Sequence, residues 1–274
     1  MDPKVYLSVT TIPSRFRDPI FLHHLLFLQK QTESFEKLFL TLSRWYRRFP
    51  EEALDQEIVA RLAEMEWIDI IWLENDLGPA SKFMGPLLHR SEALHNQLLI
   101  VIDDDRFYDK EMIRIYKNFF RTHKGIRVAS GNQFFYFNEM FYKLMDSRYL
   151  KIRESEEKYL AAFMSFALDC SFDWTPLVDY TRTILENMPD AFFHDEGILL
   201  NFCRFLNIRV FYITYKFINT IQEEMTSSLV LGNFVDRAKT EEEIMKFTNQ
   251  HHLLGCQYSP PPQKIRRTVR SGFC

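Results

Sequence analysis

Three consecutive aspartates at the end of an apolar run are the strongest chemical signal in this sequence of 274 residues. Asp103, Asp104 and Asp105 directly follow residues 98–102, whose side chains are all Leu, Ile or Val. Adjacent carboxylates repel one another unless a cation compensates their charge. Hard divalent ions such as Mn²⁺ and Mg²⁺ prefer oxygen ligands of this kind. The triplet therefore predicts a metal site, and an acidic turn before the next helix is the alternative.

The elements that must position these carboxylates alternate along the first half of the chain. Apolar runs predict strands at residues 5–10, 38–42, 67–73, 97–102 and 126–130. Amphipathic segments predict helices at residues 20–31, 51–66, 81–94 and 109–123, the first of them capped by Asp18 before Pro19. The less regular second half adds strands at residues 133–137 and 208–213 and helices at residues 175–187, 196–206 and 240–249. This alternation is typical of an α/β domain with a mostly parallel sheet, which binds ligands beyond the carboxyl ends of its strands.

The composition excludes several common classes of protein. With only 8 glycines, the chain contains neither of the glycine-rich motifs that bind dinucleotides or nucleoside triphosphates. A formal net charge of −3 argues against a nucleic-acid partner bound by a basic surface. The 4 cysteines form no C-x-x-C pair, and no signal-peptide segment or apolar run long enough to span a membrane is present. We therefore expect a soluble cytoplasmic protein without a membrane span.

The strand that ends in three aspartates resembles the D-x-D motif of small glycosyltransferases with the GT-A fold. The resemblance implies a GT-A-like single domain in which Mn²⁺, or Mg²⁺, is held against the diphosphate of a nucleotide sugar. It also implies a role for each aspartate. Asp105 is then the direct metal ligand, Asp103 supports the metal and contacts the ribose or donor sugar, and Asp104 is a further contact to the nucleotide sugar.

A second segment that is similar to the same group follows the first predicted strand. Thr10, Thr11 and Ile12 begin the sequence T-T-I-P-S-R, which ends at Arg15. The resemblance implies contacts from this segment to the nucleoside base and the diphosphate. Backbone amides and hydroxyls at a strand end can hold a base, and a guanidinium can pair with phosphate oxygens. A surface cation is the alternative for Arg15.

A third segment that matches the group, D-L-G-P-A-S-K, runs from Asp76 to Lys82. Its Gly-Pro pair favours a turn, and the helix that opens after the turn directs backbone amides towards anions. Lys82 is predicted near the diphosphate as a point charge. Asp76, or the preceding Asn75, is predicted to bind uracil or ribose. The alternative is a plain turn between a strand and a helix with a solvated lysine.

An acidic pair, Asp195 and Glu196, precedes the predicted helix in the second half. Inverting enzymes of the GT-A group often have such a pair at the start of a helix. By this resemblance Asp195 is the first candidate for the base that takes the proton of the acceptor hydroxyl, and Glu196 is the second. A helix N-cap is the alternative for both residues. The segment from Phe172 to Trp174 is a candidate aromatic shelf for the acceptor.

These features together predict a metal-dependent, inverting glycosyltransferase that transfers a sugar from a UDP-linked donor to a hydroxyl of a glycan acceptor. Residues 1–130 would bind the nucleotide sugar, residues 131–258 would form the acceptor side, and residues 259–274 form a basic tail led by prolines. The alternatives are a retaining transferase, a Mg²⁺-dependent phosphoryl-transfer enzyme and an inactive sugar-binding module. The T-T-I-P-S-R and L-G-P-A-S-K segments are also similar to glycosyltransferases of large algal DNA viruses, which would place the protein in a host cytoplasm.

Overall fold

A computed structural model of the chain describes residues 2–132, 152–154, 165–214, 219–220 and 237–255. The strands are β1 Val5–Thr10, β2 Lys37–Ser43, β3 Ile68–Leu73, β4 Leu98–Ile102, β5 Arg106–Phe107, β6 Val128–Asn132, β7 Ile152–Glu154, β8 Ser165–Asp169, β9 Val210–Thr214 and β10 Asn219–Thr220. The α-helices are α1 Pro13–Phe16, α2 Pro19–Leu28, α3 Gln56–Ala63, α4 Ser81–His89, α5 Ser91–Leu94, α6 Met112–Thr122, α7 Thr175–Asn187, α8 Asp195–Phe205 and α9 Arg237–Gln250. Short 3₁₀ turns at Gly78–Ala80 and Pro189–Phe193 precede α4 and α8.

The central sheet is mostly parallel, as predicted. Its eight strands follow the order β3-β2-β1-β4-β8-β6-β9-β7. Strands β1 to β4 are mutually parallel, whereas β8 is antiparallel to both of its neighbours, β4 and β6. Strand β9 is parallel to β6, and β7 is antiparallel to β9. The carboxyl ends of β1 to β4 therefore lie along one edge of the sheet.

Apolar cores cover both faces of this sheet. Alternate residues of the same strand enter different cores, as with Leu7 and its neighbour Tyr6 in β1. Helices α2 and α6 belong to one core, and α4, α7 and α8 belong to the other. Most strand residues are apolar on both faces, which is expected of a parallel sheet covered by helices on each side. No helix in the described part of the chain is long and apolar enough to cross a membrane.

Several predicted boundaries differ from the structure. The helix expected at residues 51–66 begins at Gln56, where the side chain of Asp55 caps the first turn. The helix expected at residues 81–94 is two helices, because the backbone of Arg90 leaves the helical region at ψ 21°. The helix expected at residues 20–31 ends three residues early, at Leu28. Its predicted N-cap is confirmed, because Asp18 accepts a hydrogen bond from the backbone amide of Ile20 at 2.9 Å. The strand expected at residues 133–137 and the basic tail lie outside the described residues.

Candidate active site

The aspartate triplet leaves the end of β4 with its three side chains in two different environments. Asp104 is buried, and its two carboxylate oxygens accept hydrogen bonds from the Thr11 hydroxyl at 2.6 Å and from Arg15 Nη1 at 2.5 Å. The side chains of Asp103 and Asp105 remain 21% and 19% exposed. Asp103 and Asp105 are thus exposed enough to contact a ligand, whereas Asp104 between them binds the loop to the end of β1.

Arg15 connects the segment after β1 with the aspartates that follow β4. Besides Asp104, its guanidinium pairs with Asp105 at 3.3 Å. Although burial opposes the charged form of the guanidinium, the charges of Asp104 and Asp105 raise the pKa of Arg15. Arg15 is therefore part of the carboxylate cluster and is not the surface cation that the sequence left open.

Lys82 lies between the two carboxylates that the sequence assigned to opposite sides of the reaction. Its Nζ atom is 2.7 Å from Asp103 Oδ1 and 3.0 Å from Asp195 Oδ2. Burial alone would lower the pKa of Lys82, but the charges of Asp103 and Asp195 raise it. The alternative of a solvated lysine is wrong, because this side chain is only 4% exposed.

The ionisation of Asp103 reflects this crowded setting. Burial raises its pKa to about 6, and the negative charges of Asp105 and Asp195 act in the same direction. The ammonium of Lys82 opposes the rise. The Asp103 backbone amide donates to the buried phenol oxygen of Tyr108 at 2.8 Å, which fixes the loop as it leaves β4.

The first turn of α4, which contains Lys82, packs closely against the sheet. The buried hydroxyl of Ser8 in β1 donates to the backbone carbonyl of Lys82. One turn further along, Gly85 lies so close to β2 that a Cβ atom there would be 2.2 Å from Thr41 Oγ1. The Thr10 hydroxyl donates to the Thr41 carbonyl at 2.8 Å, so this predicted nucleotide contact links β1 to β2.

Asp76 holds together two loops at the same edge of the sheet. Its carboxylate accepts from the amide of Gly78 at 2.8 Å and from the amide of Arg47 at 2.9 Å. Gly78 has a positive φ of 60°, and a Cβ atom there would be 2.6 Å from the Phe192 carbonyl oxygen. Burial raises the pKa of Asp76, although both backbone hydrogen bonds oppose the shift. The two amides give Asp76 a structural function at the place where the sequence predicted a base or ribose contact.

The remaining predicted residues lie at the starts of two helices. Ile12 precedes α1, and its carbonyl accepts from the Phe16 amide at 2.9 Å. Asp195 and Glu196 form the first turn of α8, where Asp195 is buried and Glu196 is partly exposed. Acidic residues suit this position because the N-terminal end of a helix carries partial positive charge. Asp195 is paired with Lys82 across the site.

The predicted aromatic shelf is elsewhere in the molecule. Because β8 runs antiparallel to β4, Asp169 at its end pairs with Leu98 at the start of β4. Trp174 follows at that opposite edge of the sheet. Its ring is buried and its Nε1 atom donates to the Asp169 carbonyl at 3.0 Å. The assignment of this segment to the acceptor is therefore wrong.

Two residues after the triplet were not predicted as part of the site. Arg106 Nε lies 3.7 Å from Asp105 Oδ1, and Tyr108 supports Asp103 as described above. Arg106 is also buried and pairs through β5 with Thr220 of β10. The only sequence signal for either residue was its nearness to the triplet, because isolated Arg and Tyr side chains form no recognisable pattern.

The residues present fit a divalent ion that is shared with a ligand. Among the described residues, no group of three or more His, Cys, Asp or Glu side chains is placed to hold a metal ion by itself. Mg²⁺ usually binds through one or two carboxylates together with substrate phosphates and water. The partly exposed carboxylates of Asp103 and Asp105 supply that number and kind of ligand.

The chain was also compared with known proteins. No family model and no curated protein matches it. Among solved structures, it is similar to 4-diphosphocytidyl-2C-methyl-D-erythritol synthase from Anaerococcus prevotii, with 12% identity, a TM-score of 0.44 and coverage of 78% of this chain and 88% of that one. It is also similar to a Pyrobaculum calidifontis mannosyltransferase, in complex with GDP-Man and Mn²⁺, with 14% identity, a TM-score of 0.46 and coverage of 78% of this chain but 57% of that one. Because both TM-scores lie below 0.5, we take the function from the residues of the site.

Proposed function

We propose that this protein is a metal-dependent glycosyltransferase that transfers a sugar from a nucleotide-sugar donor, UDP-linked, to a hydroxyl of a glycan acceptor with inversion. The observation that carries the proposal is the arrangement around Lys82. A pair of partly exposed carboxylates at the end of β4 adjoins a separate carboxylate at the start of α8. The first pair suits a metal–diphosphate group, and the separate carboxylate suits a general base.

On the donor side, Asp103 and Asp105 would hold Mn²⁺ or Mg²⁺. When bound, the metal ion would act as a Lewis acid and neutralise the negative charge of the diphosphate leaving group. Arg15 and Lys82 add positive charge behind these carboxylates and hold them in place. Asp104 serves the same site indirectly, because it fixes Arg15 and Thr11. The end of β1 and the Asp76 loop would border the nucleoside.

On the acceptor side, Asp195 would accept the proton of the attacking hydroxyl. Lys82 pairs with one of its oxygens at 3.0 Å, which restrains the carboxylate, and the other oxygen would be the one that takes the proton. An ionised carboxylate can act as a base only when its reacting oxygen reaches the hydroxyl. Glu196, in the same helical turn and partly exposed, is the second candidate for this function.

The test is to incubate the protein with Mn²⁺ and a panel of UDP- and GDP-linked sugars and to measure the released nucleoside diphosphate. We expect slow release from one donor, its loss in chelator, and its loss in Asp105→Asn. Asp69→Asn is the matched control, because Asp69 pairs with Arg90 at 2.6 Å near the start of β3, away from the site. Release of inorganic phosphate from nucleoside triphosphates instead would favour phosphoryl transfer, and glycan binding without nucleotide binding would favour a sugar-binding module. The anomeric proton of the product, followed by NMR, distinguishes inversion from retention.

A further inference from the structure

One ammonium group joins the two sides of the candidate site. Asp103 follows β4 and Asp195 opens α8, so the two carboxylates come from distant parts of the chain and meet on Lys82 at 2.7 and 3.0 Å. The side chains of Lys82 and Asp195 are only 4% and 7% exposed. Because water has little access to these groups, their charges interact more strongly than surface charges do. The position of the ammonium is thus set by the two carboxylates together.

The backbone of Lys82 cannot easily move to follow one carboxylate. Its carbonyl accepts a hydrogen bond from Ser8 in the neighbouring strand. The side chains of Ser81 and Phe83 on either side are fully buried, and Gly85 is in close contact with Thr41. A change at one carboxylate must therefore be absorbed by the lysine side chain, and it alters the contact with the other.

We infer that Lys82 is a positioning residue that couples donor binding at Asp103 to the orientation of Asp195. The inference rests on the proposed function and adds to it a link between the two substrates. A cation–diphosphate ligand that engages Asp103 competes with Lys82 for its oxygens, so Lys82 pairs more closely with Asp195. The acceptor-side carboxylate is then held most firmly when the donor is present.

The coupling must also act in the reverse direction, because linked binding free energies are reciprocal. When Asp195 is neutralised, Lys82 pairs with Asp103 alone and that pair becomes tighter. Asp103 is then less available to a cation. Neutralising Asp195, at the start of α8, should consequently weaken donor binding at Asp103, at the end of β4.

The first test is calorimetric titration of Mn²⁺ with UDP, or with GDP if the wild type prefers it, into the wild type and into Asp195→Asn. We expect binding at least about fivefold weaker in Asp195→Asn, which is at the lower end of typical coupling between sites. Asp69→Asn should bind like the wild type. In a Lys82→Met background the further effect of Asp195→Asn should fall to less than about twofold, because the link is removed.

Unchanged binding in Asp195→Asn, with Asp103→Asn strongly impaired, would overturn the coupling and leave the proposed function intact. An effect of Asp195→Asn that persists in full in the Lys82→Met background would also overturn it, because the effect would then be one of charge alone. Absence of nucleotide binding in the wild type would instead contradict the proposed function.

A second measurement does not depend on any ligand. With either carboxylate neutralised, Lys82 keeps the other, so the melting temperatures of Asp103→Asn and Asp195→Asn should fall modestly. With both neutralised, a buried ammonium loses both partners. The double variant should therefore fall by more than the sum of the single variants, and an additive fall would overturn the inference.

Discussion

The hydroxyl of Thr11 donates to Oδ2 of Asp104 at 2.6 Å, which fastens the middle aspartate of the triplet to the end of β1. The Asp104 side chain is only 6% exposed, and Arg15 holds its second oxygen. The side chains of Asp103 and Asp105 are 21% and 19% exposed. The triplet thus combines one carboxylate that stabilises the fold with two that are available to a ligand.

This division predicts different effects for two neighbouring substitutions. Asp104→Asn should lower the free energy of unfolding by about 2 kcal/mol, because it removes the buried charge that accepts from both Thr11 and Arg15 and leaves Arg15 only the longer contact with Asp105 at 3.3 Å. Asp105→Asn should lower it by less than about 1 kcal/mol, since Asp105 is more exposed and Arg15 keeps Asp104. Urea denaturation of both variants measures the difference. A loss in Asp105→Asn as large as that in Asp104→Asn would contradict the assignment.

Two glycine substitutions test how closely α4 packs against β2. Gly85→Ala places a Cβ atom 2.2 Å from Thr41 Oγ1, so it should destabilise the protein by about 1–3 kcal/mol through overpacking. Gly197→Ala, in α8, meets no atom nearer than 3.8 Å and should be neutral or stabilising by up to about 1 kcal/mol. Denaturation curves of the two variants provide the comparison. Equal stability would mean that α4 is not held against β2 as described.

The buried His24 predicts a loss of stability in acid. Its ring lies against Phe107 and Tyr108, with centroids 5.8 and 6.0 Å away. Burial lowers the pKa of His24 to about 4, although the charge of Asp105 and the backbone of Arg106 oppose the shift. The unfolded chain has a histidine pKa of about 6.5, so it binds more protons than the folded state between these two values.

His24 therefore contributes stability that is complete above about pH 6.5 and is lost as the pH falls towards about 4, by up to about 3 kcal/mol. Unfolding in urea at several pH values across this window measures the slope. His24→Leu is the control variant, and it should show a shallower slope because it has no proton to gain. Identical slopes in the two proteins would remove His24 as the cause.

The acceptor-side assignment makes a kinetic prediction. At saturating donor, Asp195→Asn should reduce kcat by about 10²-fold or more, within the usual range for loss of a general base. Glu196→Gln should have a much smaller effect, because Asp195 is the residue paired with Lys82. Steady-state rates with the donor that the nucleotide-release assay selects decide between them. The opposite ranking would transfer the function of the base to Glu196.

The arrangement of charge predicts that metal and nucleotide bind together. Four carboxylates at the site face three basic side chains, Arg15, Lys82 and Arg106, which leaves a net charge of about −1. Mn²⁺ alone should therefore bind weakly, and UDP should increase its affinity at least about tenfold, since phosphate oxygens supply the missing ligands. Electron paramagnetic resonance of free Mn²⁺, with and without UDP, measures this. Tight binding of Mn²⁺ without nucleotide would show that the basic side chains do not neutralise the carboxylates.

Site residues that directly follow one strand in the sequence could be predicted. Strand β4 and its three aspartates form one local pattern, and the position of ligands beyond such strands follows from the chirality of parallel sheets. The helix predicted at residues 109–123 is confirmed as α6, since its five buried residues recur at helical spacing, namely Met112, Ile113, Tyr116, Phe119 and Phe120.

Relations between distant residues could not be predicted in this way. Strand β8 has only five residues, and nothing in its sequence shows that it enters between β4 and β6 in the opposite direction. That reversal is what moves Trp174 away from the site. The contact of Lys82 with both Asp103 and Asp195 depends on how α4 and α8 pack on the sheet, so each residue could be placed near the site but not paired with the others.

The most direct test of the central claim is calorimetric titration of UDP-sugars into the wild type and into Asp105→Asn, each with Mn²⁺ and with chelator. If the carboxylates at the end of β4 hold a cation against the donor diphosphate, the wild type binds a UDP-sugar with Mn²⁺, and both chelator and the substitution weaken binding at least about tenfold. Equal affinity in all four titrations would contradict the claim.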